Sequence, residues 1–127
     1  MKEELLMYIL VNKDLQMSKG KTSAQVAHCV TNYVSDMCLA QLPFMGTDDT
    51  KKKWVAFLKW KRNNQKKIVL SAPQKLLEEL EKEGYWSIRD NGLTEIPPNS
   101  LTAVCLGVNT KSVFYQKIPK LKRLRLL

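Results

Sequence analysis

The spacing of apolar residues changes several times along the chain, and each change predicts an element. Residues 7–11 (MYILV) are a continuous apolar run rich in β-formers, the pattern of a buried strand. From residue 21 to about 39 the period becomes helical. Val26, Val30, Tyr33, Val34 and Met37 form one face, expected to meet a sheet. Lys21, Gln25, His28 and Asn32 follow at i, i+4, i+7 and i+11 and form a separate polar stripe. Residues 42–46, with Pro43 and Gly46, break this helix. Thr47 or Asp48 can cap a second helix to about residue 61, with Trp54, Val55, Phe57 and Leu58 as its apolar side. Residues 68–70 predict a second strand, fully apolar as a central strand is. Pro73 suits a helix start, Leu76, Leu77 and Leu80 its buried stripe, and Gly84 its stop. Residues 86–88 and 101–108 predict two more strands, separated by the Asp90-Asn91-Gly92 turn signal and a loop holding Pro97 and Pro98. Thr110 or Ser112 can cap a last short helix through Lys117, which Pro119 ends.

Four strands alternating with helices predict a single-domain α/β fold, a three-layer sandwich with a small sheet covered on both faces. In such sheets ligands gather beyond the carboxyl ends of parallel strands. If the first and third strands run parallel, Lys19 and Lys21 after the first and Asp90 after the third converge at one edge.

The length of 127 residues suits one domain over residues 1–127, and 118–127 read as a basic C-terminal tail. Apolar residues are 44% and charged residues 26%, an ordinary globular balance. No apolar run approaches the ~20 residues that span a bilayer, and the N-terminus lacks the pattern of a signal peptide, so no membrane association and a cytoplasmic location are expected. Cys29, Cys38 and Cys105 form no CxxC pair, and an odd count fits reduced, buried thiols. With one histidine and no clustered cysteines, no metal site is expected.

Charge changes the picture more. The formal net charge is +9, and the excess is segregated. Lys51, Lys52, Lys53, Lys59, Lys61, Arg62, Lys66 and Lys67 cluster with no acid among them. Lys117, Lys120, Lys122, Arg123 and Arg125 end the chain, while Glu78, Glu79, Glu81 and Glu83 gather between. This pattern points to a polyanionic partner, nucleic acid first, against the plain alternative of a solubilising surface. The first basic cluster is the candidate nucleic-acid contact; Trp54 or Trp60 could serve as a stacking platform, but core packing is favoured for both, with Trp60 the better candidate for exposure. Lys19-Gly20-Lys21 adds two mobile charges to a helix N-terminus, which already favours anions. The bland alternative there is a basic turn between a strand and a helix.

Two segments together resemble the second, archaeal and eukaryotic, family of peptidyl-tRNA hydrolases. The first is Asp14-Leu15-x-Met17-x-Lys19-Gly20-Lys21, continuing through Ala24-Gln25 to His28. The second is Ile88-Arg89-Asp90-x-Gly92-x-Thr94-x-Ile96-x-Pro98, with Thr102 and Leu106-Gly107 beyond. The resemblance implies a four-stranded mixed sheet with helices on both faces, a homodimer, and no metal or organic cofactor. It implies hydrolysis of the ester between a peptide and the 3′ end of tRNA, making peptidyl-tRNA the partner. The family's functional residues fall on Lys19, Lys21, Gln25, His28, Asp90 and Thr94. The chain also departs from the family pattern. Ser18 stands where Gly is usual and is strained if that position needs a positive φ. Asn12 replaces an Arg, removing one phosphate contact. Asn91 replaces an Ala, and Asn99 replaces a turn Gly, whose left-handed backbone Asn tolerates.

For ester hydrolysis, Lys19 or Lys21 can donate to the oxyanion or bind the terminal phosphate. Asp90 can orient a water or act as its base, although a carboxylate of ordinary pKa, about 4, is a weak base. Thr94 can hold the water or the carboxylate. An imidazole has an ordinary pKa near neutrality, which invites the role of base for the chain's single histidine, His28. Helical rise, however, puts it roughly 10 Å from Lys21, which favours a supporting role. The rival function is a non-catalytic RNA-binding or protein-interaction module on the same fold. A third is hydrolysis of another acyl ester on nucleic acid.

Overall fold

A computed structural model of the chain describes residues 3–42, 47–91 and 95–127. The predicted helix break at 43–46, Gly92 and the candidate Thr94 lie outside the described residues. The elements, in order, are β1 (Leu5–Asn12), α1 (Lys19–Ala40), α2 (Asp48–Arg62), β2 (Lys67–Ala72), α3 (Gln74–Lys82), β3 (Trp86–Asp90), β4 (Ser100–Thr110), α4 (Lys111–Lys117), a 3-10 turn (Pro119–Arg123) and β5 (Arg125–Leu126). Every predicted helix and strand is present.

The sheet runs β3-β4-β1-β2-β5. Its centre is β1, parallel to β2 with Leu10 opposite Leu70, and antiparallel to β4 with Leu10 opposite Val104. Because β3 is antiparallel to β4, the strands β1, β2 and β3 all point one way. They end at Asn12, Ala72 and Asp90 along one edge, here the carboxyl edge. The expectation of a four-stranded sheet is corrected by β5, which pairs antiparallel with β2. Its cause is legible in the alternation of Leu124-Arg125-Leu126, and in Leu121, buried just before it as an anchor.

Alternation along β1 feeds two cores. Leu6, Tyr8 and Leu10 pack with Leu76, Leu77 and Leu80 of α3 and Phe114 of α4. Met7, Ile9 and Val11 pack with Cys29, Tyr33 and Met37 of α1 and Phe57 and Trp60 of α2. The helices thus cover both faces. The buried face of α1 differs from the one expected: Gln25, Cys29, Tyr33, Met37 and Ala40 are buried, while Val26, Val30 and Val34 are only partly so.

Two irregularities in β4 bear on the site. The register passes from Ile88 opposite Ala103 to Arg89 opposite Leu101, leaving Thr102 as an extra residue in a bulge. Nearer the other end, Gly107 has φ +76°, and a Cβ there would lie 3.0 Å from the rings of both Tyr33 and Trp86. Only glycine suits that backbone and that closeness.

Candidate active site

The turn after β1 is built from side chains that satisfy backbone groups. Asn12 is buried; its Nδ2 donates to Leu101 O at 2.8 Å and Gln74 Oε1 at 3.2 Å, and its Oδ1 accepts from Asp14 N at 2.8 Å. Asp14 Oδ2 accepts from Gln74 N at 2.9 Å and so caps α3. Asn12 is therefore a structural hinge-pin facing protein groups. Ser18 sits at φ −65° and ψ 166°, an extended conformation with no strain, and its Oγ accepts from Lys21 N as the cap of α1. The strain that a positive φ implies does not arise. Ser18 N and Oγ also donate to the two carboxylate oxygens of Glu95, at 2.8 and 2.7 Å. These bonds, aided by the charge of Lys21, hold the Glu95 carboxyl below the usual carboxylate range. Glu95 thereby ties the loop after β3 to the start of α1. Asn99, at φ 63°, supports the same loop by donating its N–H to Asp90 O at 2.6 Å.

Lys21 and Asp90 meet where β1 and β3 end, as the parallel-strand expectation requires. The Lys21 Nζ to Asp90 Oδ1 distance is 2.7 Å, and the side chains are only 14% and 13% exposed. Gln25, one turn along α1, lies beneath them. Its Nε2 is 3.4 Å from the same Asp90 oxygen, and its Oε1 accepts a 2.6 Å bond from Thr102 Oγ1. Both Gln25 and Thr102 are buried. The bulge turns Thr102 toward α1, so one chain of contacts runs Thr102–Gln25–Asp90–Lys21. Gln25, a candidate from the family motif and a member of the polar stripe of α1, lies in the core, where both ends of its amide have partners. Thr102 was visible in the motif but had no assigned role. Only the bulge that aims it marks it out.

Two other candidates stand apart from this cluster. Lys19 opens α1 with an exposed side chain next to the site. His28 is exposed and, among the described residues, makes no hydrogen bond or ion pair. The basic set Lys51, Lys52, Lys53, Lys59, Lys61, Arg62, Lys66 and Lys67 is not brought to the site at all. Lys66 and Lys67 lie where β2 begins, with Lys67 opposite Met7, the end remote from Ala72 and Asn12. At about 3.3 Å per residue, that is roughly 16 Å away along the strand. Lys59 lines a cleft with Glu4 and Thr110, and Lys53 lines another with Trp86 and Asn109, which places α2 across this amino edge. Trp60 packs in the core as favoured over stacking, and it is not the more exposed tryptophan: it is buried, and its Nε1 donates to Lys66 O at 2.8 Å. Trp54 stacks on Phe57 with centroids 5.6 Å apart.

Of the thiols, Cys29 and Cys105 are buried, whereas Cys38 is exposed, against expectation. Desolvation raises the pKa of both buried thiols, that of Cys105 to about 12. Among the described residues, no group of three or more His, Cys, Asp and Glu side chains is placed to hold a metal ion.

The arrangement thus presents an ammonium and a carboxylate in contact, backed by a fixed amide, at the sheet edge where ligands gather. The family model described as peptidyl-tRNA hydrolase PTH2 matches residues 5–124. The chain belongs to this family. A peptidyl-tRNA hydrolase of Staphylothermus marinus is 39% identical over 106 residues, 78% of each chain. That of Haloquadratum walsbyi is 35% identical over 78% of this chain and 81% of its own. That of Thermococcus sibiricus is 34% identical over 83% and 85%. The span matched to the peptidyl-tRNA hydrolase family includes every residue of the Thr102–Gln25–Asp90–Lys21 chain and stops just short of β5.

Proposed function

We propose that this protein hydrolyses the ester joining a peptide, or another N-blocked aminoacyl group, to the 3′ end of tRNA. The contact of Lys21 with Asp90, held by Gln25 and Thr102, carries this reading. The contact with an ammonium suits the Asp90 carboxylate to hold and orient the attacking water more than to act as a strong base. Lys21 or Lys19 donates to the oxyanion as the water oxygen bonds to the carbonyl carbon. The ester bond to the ribose oxygen then breaks, that oxygen takes a proton, and the peptide leaves as a carboxylate. Thr94 completes the water site in this reading. The exposed His28 supports the bound substrate without sharing the reacting atoms.

Lys51, Lys52, Lys53, Lys59, Lys61, Arg62, Lys66 and Lys67 contact tRNA phosphates through charge. Their place on the amino edge suits the body of the tRNA and not its 3′ end. The reading also expects a homodimer and a cytoplasmic location, and sedimentation tests the first.

The test is acyl release from N-acetylaminoacyl-tRNA by the purified protein in the presence of EDTA. Asp90→Ala and Lys21→Ala should each lower kcat by about 100-fold or more, with tRNA affinity little changed. An equal loss of affinity in the Asp90 variant would remove it from the chemistry. Tight tRNA binding without turnover in the native protein would move the function to the non-catalytic alternative.

A further inference from the structure

The C-terminal cations remain to be placed, and they sort by what holds them. Lys120 pairs with Glu79 at 3.2 Å, and Lys122 lies over the Tyr115 ring at 5.4 Å. Lys117 faces the amino edge with Tyr33 and Trp86. Arg123 and Arg125 differ from these. Both are exposed, and among the described residues neither has an ion-pair partner. The pairing of β5 fixes where they lie. Arg125 is opposite Ser71, the next-to-last residue of β2, and β5 runs antiparallel to β2. Arg125 therefore sits near the carboxyl edge, and Arg123 closes the 3-10 turn that leads into β5 from that side. This is the edge that holds Lys21 and Asp90.

Strand spacing gives the scale. With neighbouring strands about 4.8 Å apart, Arg125 is about 10 Å from the end of β1, two strands away. The turn after β1 bridges that interval. Lys13 is exposed there, and its backbone N–H donates to Ala72 O. The acid in this turn, Asp14, is occupied as the cap of α3. The opposite direction along the edge is different. Arg89 is committed to both oxygens of Glu81 at 3.0 and 2.8 Å, and Glu95 adds a negative charge. Among the described residues, and apart from Lys19 beside the site itself, a polyanion whose end lies at Lys21 and Asp90 therefore meets exposed cations outside any ion pair when it leaves past Lys13 toward β5.

We infer that Arg123 and Arg125 form the phosphate-contacting track for the acceptor arm of the tRNA whose 3′ end enters the Lys21–Asp90 site. The inference rests on the proposed function and adds the path of the substrate across the protein. Arginine suits the role, since its planar fork meets phosphate oxygens in pairs. The strand itself is held by backbone pairing and by Leu121, so the guanidinium groups can be replaced without removing β5.

The experiment measures the Kd of an acceptor-stem RNA minihelix, and of full-length deacylated tRNA, across a salt series. In the Arg123→Gln/Arg125→Gln variant, Kd rises for both RNAs, and the slope of log Kd against log salt falls by about 1.4 to 1.8, the release expected for two phosphate contacts. Arg123→Lys/Arg125→Lys restores most of the slope. Lys51→Gln/Lys52→Gln/Lys53→Gln, on the amino edge, leaves the minihelix slope unchanged. An unchanged minihelix slope in the double glutamine variant overturns the inference, whatever the protein's hydrolytic activity. Absence of ester hydrolysis by the native protein overturns the enzymatic reading instead, and the binding series still decides the track.

Discussion

The hydroxyl of Thr102 joins a backbone irregularity to the chemistry of the site. As the extra residue of the β4 bulge it reaches α1, and by donating to Gln25 Oε1 it leaves the amide NH2 of Gln25 toward Asp90. Thr102→Val keeps the shape but strands a buried acceptor, which costs roughly 1–3 kcal/mol. The urea midpoint should fall accordingly, and kcat should fall with little change in KM. Thr102→Ser should restore both. A midpoint equal to that of the native protein would show that Gln25 finds another donor. Lys21 and Asp90 were legible because spacing after predicted strands places them without further knowledge. Gln25 was legible through the family motif, but its burial was not, because hydropathy assigns a glutamine to solvent and only its partner on a distant strand, Thr102, reverses that assignment.

Among the elements, α3 and β3 are joined by a charged clamp whose pH dependence has a definite sign. Hydrogen bonds from Arg89 hold the Glu81 carboxyl below the usual carboxylate range, and a bond from Ser87 adds to this. A lowered folded-state pKa stabilises fully above the ordinary glutamate value of about 4.3 and is lost as pH falls through the lower folded value. Partial exposure of both side chains limits the effect to below about 1 kcal/mol. Glu81→Gln should therefore lower the urea midpoint slightly at pH 7, and this difference should shrink as pH is lowered below the ordinary glutamate value. A difference that does not shrink on acidification would mean that packing, not charge, is the cause. Element positions were readable from period and caps because those signals are local. The rotation of α1 was not, since it is set by which side chains the bulged β4 accepts. The exposure of Trp60 was misjudged for a different reason: the carbonyl that takes its N–H belongs to Lys66, beyond the end of its helix.

For the whole molecule, the three thiols report on global opening. Cys29 and Cys105 lie in the core between β1, β4 and α1, whereas Cys38 is exposed near the end of α1. A thiol reagent should label one cysteine quickly in the native protein. It should reach the other two only at the rate of global unfolding, accelerating with urea. Rapid labelling of all three would show that the α1–sheet core opens locally. Sequence alone gave the segregation of charge but not its geometry. Runs of lysine adjacent in sequence lie at the amino edge, while two arginines at the chain's far end return to the carboxyl edge through β5.

The central position of β1 also constrains the order of events on the ribosome. β1 is synthesised well before β4, with which it pairs along its length, Leu5 meeting Thr110. A nascent chain therefore exposes one flank of its most apolar strand until β4 has emerged. Contacts so distant in sequence slow folding and leave an unpaired edge open to association in the interim. The Lys21–Asp90 site, which needs Thr102 of β4 behind Gln25, thus becomes complete only after β4 has been made.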